Sequence, residues 1–281
     1  MKEDFLLNPD ITFLNYGSFG ACPKPIFETY QNFQRELEFE PVEFMVDKAP
    51  IYLKQARTAL GEYLNAEPDD IVCVTNPSYG VNIVAKSLNL KPGDEVLATD
   101  LEYGACDRTW NYYCQKAGAK YIRQKISLPI HSKENFLEEF VQGINPKTKI
   151  IFISHITRST ALRLPVEEIC QIAKHHGIPV FVDGAHGPAQ VPVDIQKMDC
   201  DFYVGACHKR MLAPKGSSFL YAQKEQQSWL DPLVISWGYD ADVPGPSQFL
   251  DYHEMQGTRD LSAFCTIPKS VEYLKEKIGN K

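Results

Sequence analysis

Residues 149–185, KIIFISHITRSTALRLPVEEICQIAKHHGIPVFVDGA, contain the pattern that decides the fold. A β-branched apolar run (149–156) is followed by an amphipathic segment that closes on a glycine (166–177), and then by a second apolar run (178–185). Short apolar runs rich in β-branched residues predict buried strands, and apolar residues three and four apart predict a helix. Strand, helix and strand in this order are typical of two parallel strands joined by a covering helix.

The same alternation continues on both sides of this unit. Strands are also predicted at 71–75, 94–100, 120–126 and 201–207, and helices at 51–64, 80–90, 107–118 and 136–144. We therefore expect an α/β fold with a mainly parallel sheet flanked by helices. In such sheets, ligands bind beyond the carboxyl ends of the strands.

Composition narrows the class of protein. The chain has 281 residues, of which 44% are hydrophobic and 23% are charged, as in ordinary globular proteins. A net charge of −7 argues against a nucleic-acid surface. No apolar run has membrane-spanning length, and the start MKEDFLLNPD lacks a signal peptide's apolar core, so a cytoplasmic location is expected. The eight cysteines show no C-x-x-C spacing, so no metal site is expected.

A candidate anion site follows the first predicted strand, in the sequence NPSYG. Ser78 and Tyr79 lie where this strand runs into a helix. Small and hydroxylated residues before a helix leave backbone N–H groups free to hold a phosphate. The alternative is an ordinary helix cap, in which Ser78 satisfies one backbone donor and binds nothing.

Three further strand ends carry candidate side chains. Asp183 ends an apolar strand, where a carboxylate is costly unless it is paired with a metal, a histidine or a heteroaromatic nitrogen, although DGAH also suits a simple turn. Tyr103, in DLEYGAC, either packs in the core or stacks on a planar ligand. Lys209 follows DFYVGAC and is either solvated or a nucleophilic amine with a lowered pKa.

One ligand requires all four features together, namely pyridoxal 5′-phosphate (PLP). Its aldehyde forms a Schiff base with a lysine, and its pyridine nitrogen needs an acid to remain protonated. Its phosphate needs backbone donors, and its ring accepts a stacking partner. A nicotinamide dinucleotide is a weak alternative, because no G-x-G-x-x-G follows the first strand.

Seven stretches between residues 13 and 260 carry a family resemblance. They are FLNYGSFGACP, TNPSYGVN, DLEYGAC, HITRSTALRLPVEEI, VFVDGAHGPAQVPVD, CHKRMLAPKGSSFLY and QGTRD. In this order they resemble the class V (fold-type I) PLP-dependent aminotransferase family. Within it, the chain is most similar to the isopenicillin N epimerase-like and cysteine desulfurase-like branch, which includes cysteine-sulfoxide lyases and cysteine desulfhydrases.

The resemblance implies a catalytic role for three residues. Lys209 would form the Schiff base and move protons at the substrate Cα. Asp183 would pair with the pyridinium nitrogen, and His186 would hydrogen-bond near the phenolic oxygen of the cofactor. Tyr103 matches the aromatic residue that stacks on the ring.

The resemblance also implies residues around the phosphate and the substrate. Ser78 and Tyr79 match the phosphate-binding pair before the helix, and His208 would contact the phosphate region. Thr258 matches a segment that reaches the phosphate of the neighbouring subunit, so a homodimer is implied. Asn15 lies in the segment that borders the substrate pocket.

This sequence departs from the branch at several positions near the site. Arg158 stands in RST where the branch usually has SPT, and it either holds a substrate carboxylate or is solvated. Arg259, in QGTRD, is a further candidate for contact with the substrate. Arg210 replaces a usual tryptophan after HK, and Ala206 replaces a usual serine or asparagine.

The resemblance predicts a domain organisation as well. Residues 1–24 would form an N-terminal segment that borders the active site, and residues 25–281 would form the PLP-binding large domain. The chain is expected to end before the smaller C-terminal domain of the family. That domain usually supplies an arginine that clamps the substrate carboxylate.

The implied function is that of a PLP-dependent enzyme acting on an amino acid. The chemistry expected through Lys209 is C–S cleavage of the lyase or desulfhydrase type, or epimerisation at Cα. A class V aminotransferase and a truncated, non-catalytic remnant of the PLP fold are the alternatives. The expected partners are an amino-acid substrate and a second copy of the chain, with no nucleic acid and no membrane.

Overall fold

The computed structural model of the chain describes residues 2–279 and contains a seven-stranded sheet. Its strands are β1 (Ile71–Val74), β2 (Glu95–Thr99), β3 (Lys120–Gln124), β4 (Thr148–Ser154), β5 (Val180–Gly184), β6 (Phe202–Gly205) and β7 (Ser218–Ala222). Their order across the sheet is β1-β7-β6-β5-β4-β2-β3. β7 runs antiparallel to β1 and β6, and the other neighbours are parallel. The predicted mainly parallel sheet is therefore confirmed.

β7 is a strand that the periodicity did not predict. Its five residues are all buried between β1 and β6. Residues 206–217 connect β6 to β7, and this connection carries His208 and Lys209. The backbone N–H of His208 donates to the carbonyl oxygen of Ser217 at 3.1 Å, so the two ends of the connection are held together.

Helices cover both faces of the sheet. The α-helices in the described part of the chain are α1 (Lys24–Phe39), α2 (Pro41–Glu43), α3 (Ala49–Leu64), α4 (Pro77–Ser87), α5 (Gly104–Ala117), α6 (Lys133–Val141), α7 (Val166–His175), α8 (Ile195–Met198), α9 (Gln248–Glu254), α10 (Ser262–Cys265) and α11 (Ile267–Ile278). A π-helical segment spans Phe44–Lys48, and 3₁₀ turns span Lys2–Asp4, Pro68–Asp70 and Lys224–Trp229. Between residues 2 and 279, no helix combines the length and apolar character needed to cross a membrane.

Two apolar clusters, one on each face, hold the helices to the sheet. Alternate residues of β4 contribute to opposite clusters, since Ile151 belongs to the first and Phe152 to the second. The first cluster includes side chains of α3, α6, α7 and α11, and the second includes side chains of α4, α5 and α9. Trp110 of α5 packs against Phe152 with ring centroids 5.6 Å apart. Burial on both faces explains why the central strand β4 is apolar along most of its length, whereas the edge strand β3 is at most half-buried and carries Lys120 and Arg123.

Candidate active site

A cavity of about 470 Å³ lies at the carboxyl ends of the central strands. Ser154 at the end of β4 and Asp183 near the end of β5 line it, together with Ser78 of α4, Tyr103 before α5 and Lys209 after β6. Its volume is within the range of about 300–1,000 Å³ that is usual for small-molecule sites. The position agrees with the rule that ligands bind beyond the carboxyl ends of parallel strands.

Most of the residues predicted for the site line this one cavity. Those that line it are Asn15, Ser78, Tyr103, Arg158, Asp183, His186, His208 and Lys209. They come from six separate segments of the chain, which the strand order brings together.

Three predicted residues lie elsewhere. The Tyr79 hydroxyl donates to Oε1 of Gln256 at 2.5 Å. Thr258 is exposed, and the Arg259 guanidinium stands over the ring of Phe264, 4.3 Å from its centroid. Neither Thr258 nor Arg259 is therefore in the cavity of its own chain, and their roles at a site stay predictions.

Lys209 and His186 form a close pair inside the cavity. Nζ of Lys209 lies 3.3 Å from Nε2 of His186. Burial lowers the pKa of the Lys209 amine, while the negative charge of Asp183 opposes that shift. Burial also lowers the pKa of His186 to about 4, and the positive charge of Lys209 acts in the same direction. The imidazole is therefore neutral near pH 7, and its free nitrogen accepts a hydrogen bond from the lysine.

Asp183 is the buried acid of the cavity. Its side chain lies almost fully out of solvent, with the residue only 5% exposed. Oδ1 accepts from the backbone N–H of Ala185 at 3.0 Å, and Oδ2 accepts from the thiol of Cys106 at 3.6 Å. Burial raises the pKa of this carboxyl, whereas the Ala185 N–H and the charge of Lys209 lower it. The acid is thus partnered by donors within the protein.

A metal ion is one of the three partners that the sequence allowed for Asp183. Within residues 2–279, no group of three or more histidine, cysteine, aspartate or glutamate side chains is arranged to hold a metal ion.

The start of α4 forms one end of the cavity. Asn76 caps this helix, because its Oδ1 accepts from the backbone N–H of Tyr79 at 2.9 Å. The cap is therefore not Ser78, which had been the alternative to phosphate binding. The hydroxyl of Ser78 makes no hydrogen bond to any residue in the described range 2–279, and it lines the cavity. It is free to donate to a ligand.

His208 lies beside this end of the cavity and is locked in orientation. Its Nδ1–H donates to the carbonyl oxygen of Ser217 at 2.9 Å, and Nδ1 also lies 3.3 Å from the hydroxyl oxygen of Ser218. Burial lowers the pKa of His208, which favours the neutral imidazole. The hydrogen bond at Nδ1 determines the tautomer of the His208 ring, in which Nδ1 carries the proton and Nε2 has a lone pair.

An aromatic side chain and a cation form the outer wall. Tyr103 is 39% exposed at the start of α5. The guanidinium carbon of Arg158 lies 5.5 Å from the centroid of the Tyr103 ring, within cation–π distance. No carboxylate in the described range is ion-paired with Arg158. Its charge is therefore available to an anionic ligand.

The N-terminal segment closes another side of the cavity. Asn15 accepts from the backbone N–H of Ser18 at 3.1 Å, so residues 15–18 form a tight turn. The backbone N–H of Gly20 donates to the carbonyl oxygen of His208 at 3.0 Å. A Cβ atom at Gly20 would lie 2.0 Å from the carbonyl oxygen of Lys209, so this approach requires glycine.

Sequence reasoning missed three residues around the acid, namely Glu102, Cys106 and Ser154. Cys106 and Ser154 line the cavity, and Glu102 lies directly behind Ser154. Glu102 and Cys106 flank Tyr103 within the DLEYGAC motif, so the signal was a carboxylate and a thiol at a strand end already identified. Nothing local indicates Ser154, because its position depends on how β4 pairs with β5.

The sequence of the chain is similar to a known family and to several known proteins. The chain matches the family model described as aminotransferase class-V over residues 22–281. It is 33% identical to isopenicillin N epimerase of Streptomyces clavuligerus, over 96% of this chain and 71% of that protein. It is 28% identical to a putative L-cysteine desulfhydrase of Oryza sativa subsp. japonica, over 95% of this chain and 58% of that protein.

Solved structures show the same fold. The cystine C-S lyase C-DES, in complex with cysteine persulfide, superposes with a TM-score of 0.87 at 22% identity, over 96% of this chain and 73% of that one. A mutant of C-DES with glycine covalently linked to the PLP cofactor superposes with a TM-score of 0.88 at 21% identity, over 99% of this chain and 74% of that one.

The fold and the cavity together define a fold-type I PLP-dependent enzyme. The donor set fits this cofactor, because an amine of lowered pKa, a buried acid, an exposed aromatic ring and a free hydroxyl in the first turn of a helix share one cavity. By its match over residues 22–281, the chain belongs to the class-V aminotransferase family. PLP is the cofactor of that family.

Proposed function

We propose that this enzyme cleaves the C–S bond of a cysteine-type amino acid, with Lys209 as the acid–base residue. The observation that carries the proposal is the 3.3 Å contact between Lys209 Nζ and a neutral His186, in the same cavity as the buried Asp183. A lowered pKa increases the fraction of Lys209 that is present as the free amine, and the free amine is the form that acts as a nucleophile and a base.

The cavity residues divide the tasks of holding PLP. Lys209 would bond the aldehyde carbon, and Asp183 would pair with the ring nitrogen. Ser78 and His208 would hold the phosphate, and Tyr103 would cover a face of the ring. When bound, PLP supplies an electron sink for the negative charge that develops at the substrate Cα.

Lys209 would carry the proton through both halves of the reaction. As a free amine it takes the α-proton, and the resulting ammonium is stabilised by the lone pair of His186 and by the charge of Asp183. The same ammonium then returns its proton to the sulfur that leaves Cβ. The elimination therefore needs one acid–base residue, and Lys209 is restored at its end.

Arg158 and Asn15 would orient the substrate. Arg158 lines the cavity without a carboxylate partner in the described residues, and a guanidinium binds a carboxylate through two parallel hydrogen bonds. The cysteine-type substrate is supported by the relatives, since a desulfhydrase and a cystine lyase both carry it in their names.

Epimerisation at Cα is the second candidate, and one observation favours it. The relative with 33% identity is an isopenicillin N epimerase. Removal of the α-proton by Lys209 is common to both reactions. Epimerisation differs because the proton must return to the opposite face of Cα, and the bond at Cβ stays intact.

The first test is whether Lys209 bonds PLP. Purified protein mixed with PLP is treated with borohydride, and peptide mass spectrometry locates the reduced pyridoxyl group. We expect it on Lys209, and we expect Lys209→Ala to lose it. Lys215→Ala is the matched control, because Lys215 is an exposed lysine in the same connection between β6 and β7. A folded wild-type protein that carries no label on Lys209 would contradict the proposal.

The second test separates the reactions. With L-cysteine, C–S cleavage releases sulfide, ammonia and pyruvate in equal amounts. Loss of optical rotation without sulfide would instead establish epimerisation, and accumulation of pyridoxamine phosphate would establish transamination. PLP bound at Lys209 with no change in any sulfur-containing amino acid would contradict the enzymatic proposals and favour a non-catalytic remnant.

We also propose a cytoplasmic homodimer in which residues 1–24 border the site and residues 25–281 form the PLP-binding large domain. Exposed large apolar side chains support a subunit contact, among them Phe39, Trp237 and Val243. The exposed position of Thr258 allows it to reach a neighbouring copy. Light scattering measures the mass, and a monomer that binds PLP fully would contradict the dimer.

A further inference from the structure

A second buried carboxyl group, that of Glu102, lies behind the floor of the cavity. Glu102 follows β2 and is 8% exposed. Its Oε1 accepts from the Thr99 hydroxyl at 2.6 Å, and its Oε2 accepts from the Ser154 hydroxyl at 2.5 Å. Both hydroxyl protons point at the carboxylate, so Ser154 presents only lone pairs to the cavity.

Ser154 connects Glu102 to Asp183. Ser154 pairs with Asp183 in the ladder between β4 and β5, and both residues line the cavity. The backbone N–H of His155 also donates to the carbonyl oxygen of Asp183 at 2.9 Å, which holds the two strand ends in register. Glu102 is therefore separated from the floor of the cavity by one hydroxyl group.

The surroundings of Glu102 are almost free of compensating positive charge. Burial raises the pKa of Glu102 to about 7, the two hydroxyl donors oppose this, and the negative charge of Asp183 raises it further. The other titratable groups that face it are Cys106 of α5 and Tyr121 of β3. Burial raises the pKa of both, so neither contributes charge near pH 7. Lys209 lines the same cavity, and its charge acts on Asp183.

We propose that Glu102 is a positioning residue for the cofactor: through Ser154 it adds a second negative charge beneath Asp183 and strengthens the hold on a protonated heteroaromatic nitrogen. The inference rests on the proposed PLP site, because Asp183 is the residue that would meet that nitrogen. Glu102 itself touches neither the cavity nor its ligand, and it acts only by its charge and by orienting Ser154.

The test compares PLP binding by the wild-type protein and by Glu102→Gln. The amide has the shape of the acid but carries no charge at any pH. The dissociation constant for PLP is measured by quenching of tryptophan fluorescence from about pH 5.5 to about pH 8.5. This interval spans the raised pKa values of buried carboxyl groups. Titrations that are independent of Glu102 occur in both proteins and cancel in the ratio of the two constants.

We expect that ratio to depend on pH. Toward the low end of this range, near about pH 5.5, Glu102 is largely protonated in the wild type, so both proteins should bind PLP almost equally. Above about pH 8 it is ionised, and Glu102→Gln should bind about tenfold more weakly, which corresponds to a coupling of about one pKa unit. A ratio that is the same at every pH would mean a purely structural role and would overturn the inference.

Two further variants keep the test decisive. Glu95→Gln is the matched control, since Glu95 is also 8% exposed and lies at the other end of β2. Its carboxylate accepts a hydrogen bond from the side-chain amide of Asn145. Its ratio to the wild type should be constant. Ser154→Ala, which serves if Glu102→Gln does not fold, removes one donor to the carboxylate, so the step in PLP affinity should move to higher pH. An unmoved step would contradict the inference, whereas a wild type that binds no PLP would contradict the proposed function.

Discussion

Replacement of Gly20 by alanine should detach the N-terminal segment from the cavity. The added Cβ would lie 2.0 Å from the carbonyl oxygen of Lys209 and 2.7 Å from that of His208. Both atoms belong to the backbone, so neither can rotate away. To reach a tolerable separation of about 3 Å, the segment must retreat by roughly 1 Å from the β6–β7 connection.

The cost follows from two contacts. A retreat of this size stretches the 3.0 Å bond from the Gly20 N–H to the His208 carbonyl beyond hydrogen-bond range. That loss costs about 1 kcal/mol, and overpacking costs about 1–3 kcal/mol more, so unfolding free energy should fall by about 2–4 kcal/mol. Because Asn15 and Phe19 line the cavity from this segment, PLP and substrate affinity should fall too.

Urea unfolding and PLP titration of Gly20→Ala measure both effects. Gly17→Ala is the matched control on the same segment, because its Cβ would make only ordinary contact with the His186 ring, at 3.5 Å. We expect Gly17→Ala to stay within about 1 kcal/mol of the wild type. If Gly20→Ala were as stable as Gly17→Ala and bound PLP normally, the steric reasoning would be refuted.

Two predictions concern buried charge away from the cavity. Burial lowers the pKa of His253 from 6.5 to about 4, so between these two pH values the unfolded chain binds this proton and the folded chain does not. The unfolding free energy of the wild type should therefore fall by up to about 3 kcal/mol as the pH falls from 6.5 to about 4. His253→Leu should lack this part of the decrease when unfolding is measured as a function of pH. Arg57→Ala should lower the unfolding free energy by about 3 kcal/mol, because Arg57 is 5% exposed and donates at 2.7 Å to Glu254, whose side chain is 13% exposed. Asp69→Ala, at the exposed partner of Arg57, should cost under about 1 kcal/mol, and equal losses would contradict the argument.

Local patterns in the sequence were sufficient for the main elements of the fold. The β-branched runs and the helical spacing predicted the strands at 71–75, 94–100, 120–126, 149–156, 178–185 and 201–207, and each matches a strand of the sheet to within a few residues. The helix at 166–177 also matches. These elements could be predicted because a strand buried on both faces, or a helix buried on one, displays its burial in its own residues.

The antiparallel β7 could not be found in this way. Its five residues, SFLYA, form an apolar run too short to distinguish from other buried segments. Its direction depends on the connection that carries Lys209 and on the place left between β1 and β6. The N-cap of α4 could not be assigned from the sequence either. Asn76 and Ser78 are both suitable capping residues, and only the backbone conformation selects Asn76.

The sequence by itself determined which residue types stand at the strand ends, including Lys209, Asp183 and Tyr103, because those positions follow directly from the apolar runs. Only the tertiary structure decided which of them meet. Ser154 and Glu102 are 52 positions apart, and their hydrogen bond exists because β2 pairs with β4. A contact of this kind depends on strand order, and strand order is a property of the whole packed sheet, not of any segment in it.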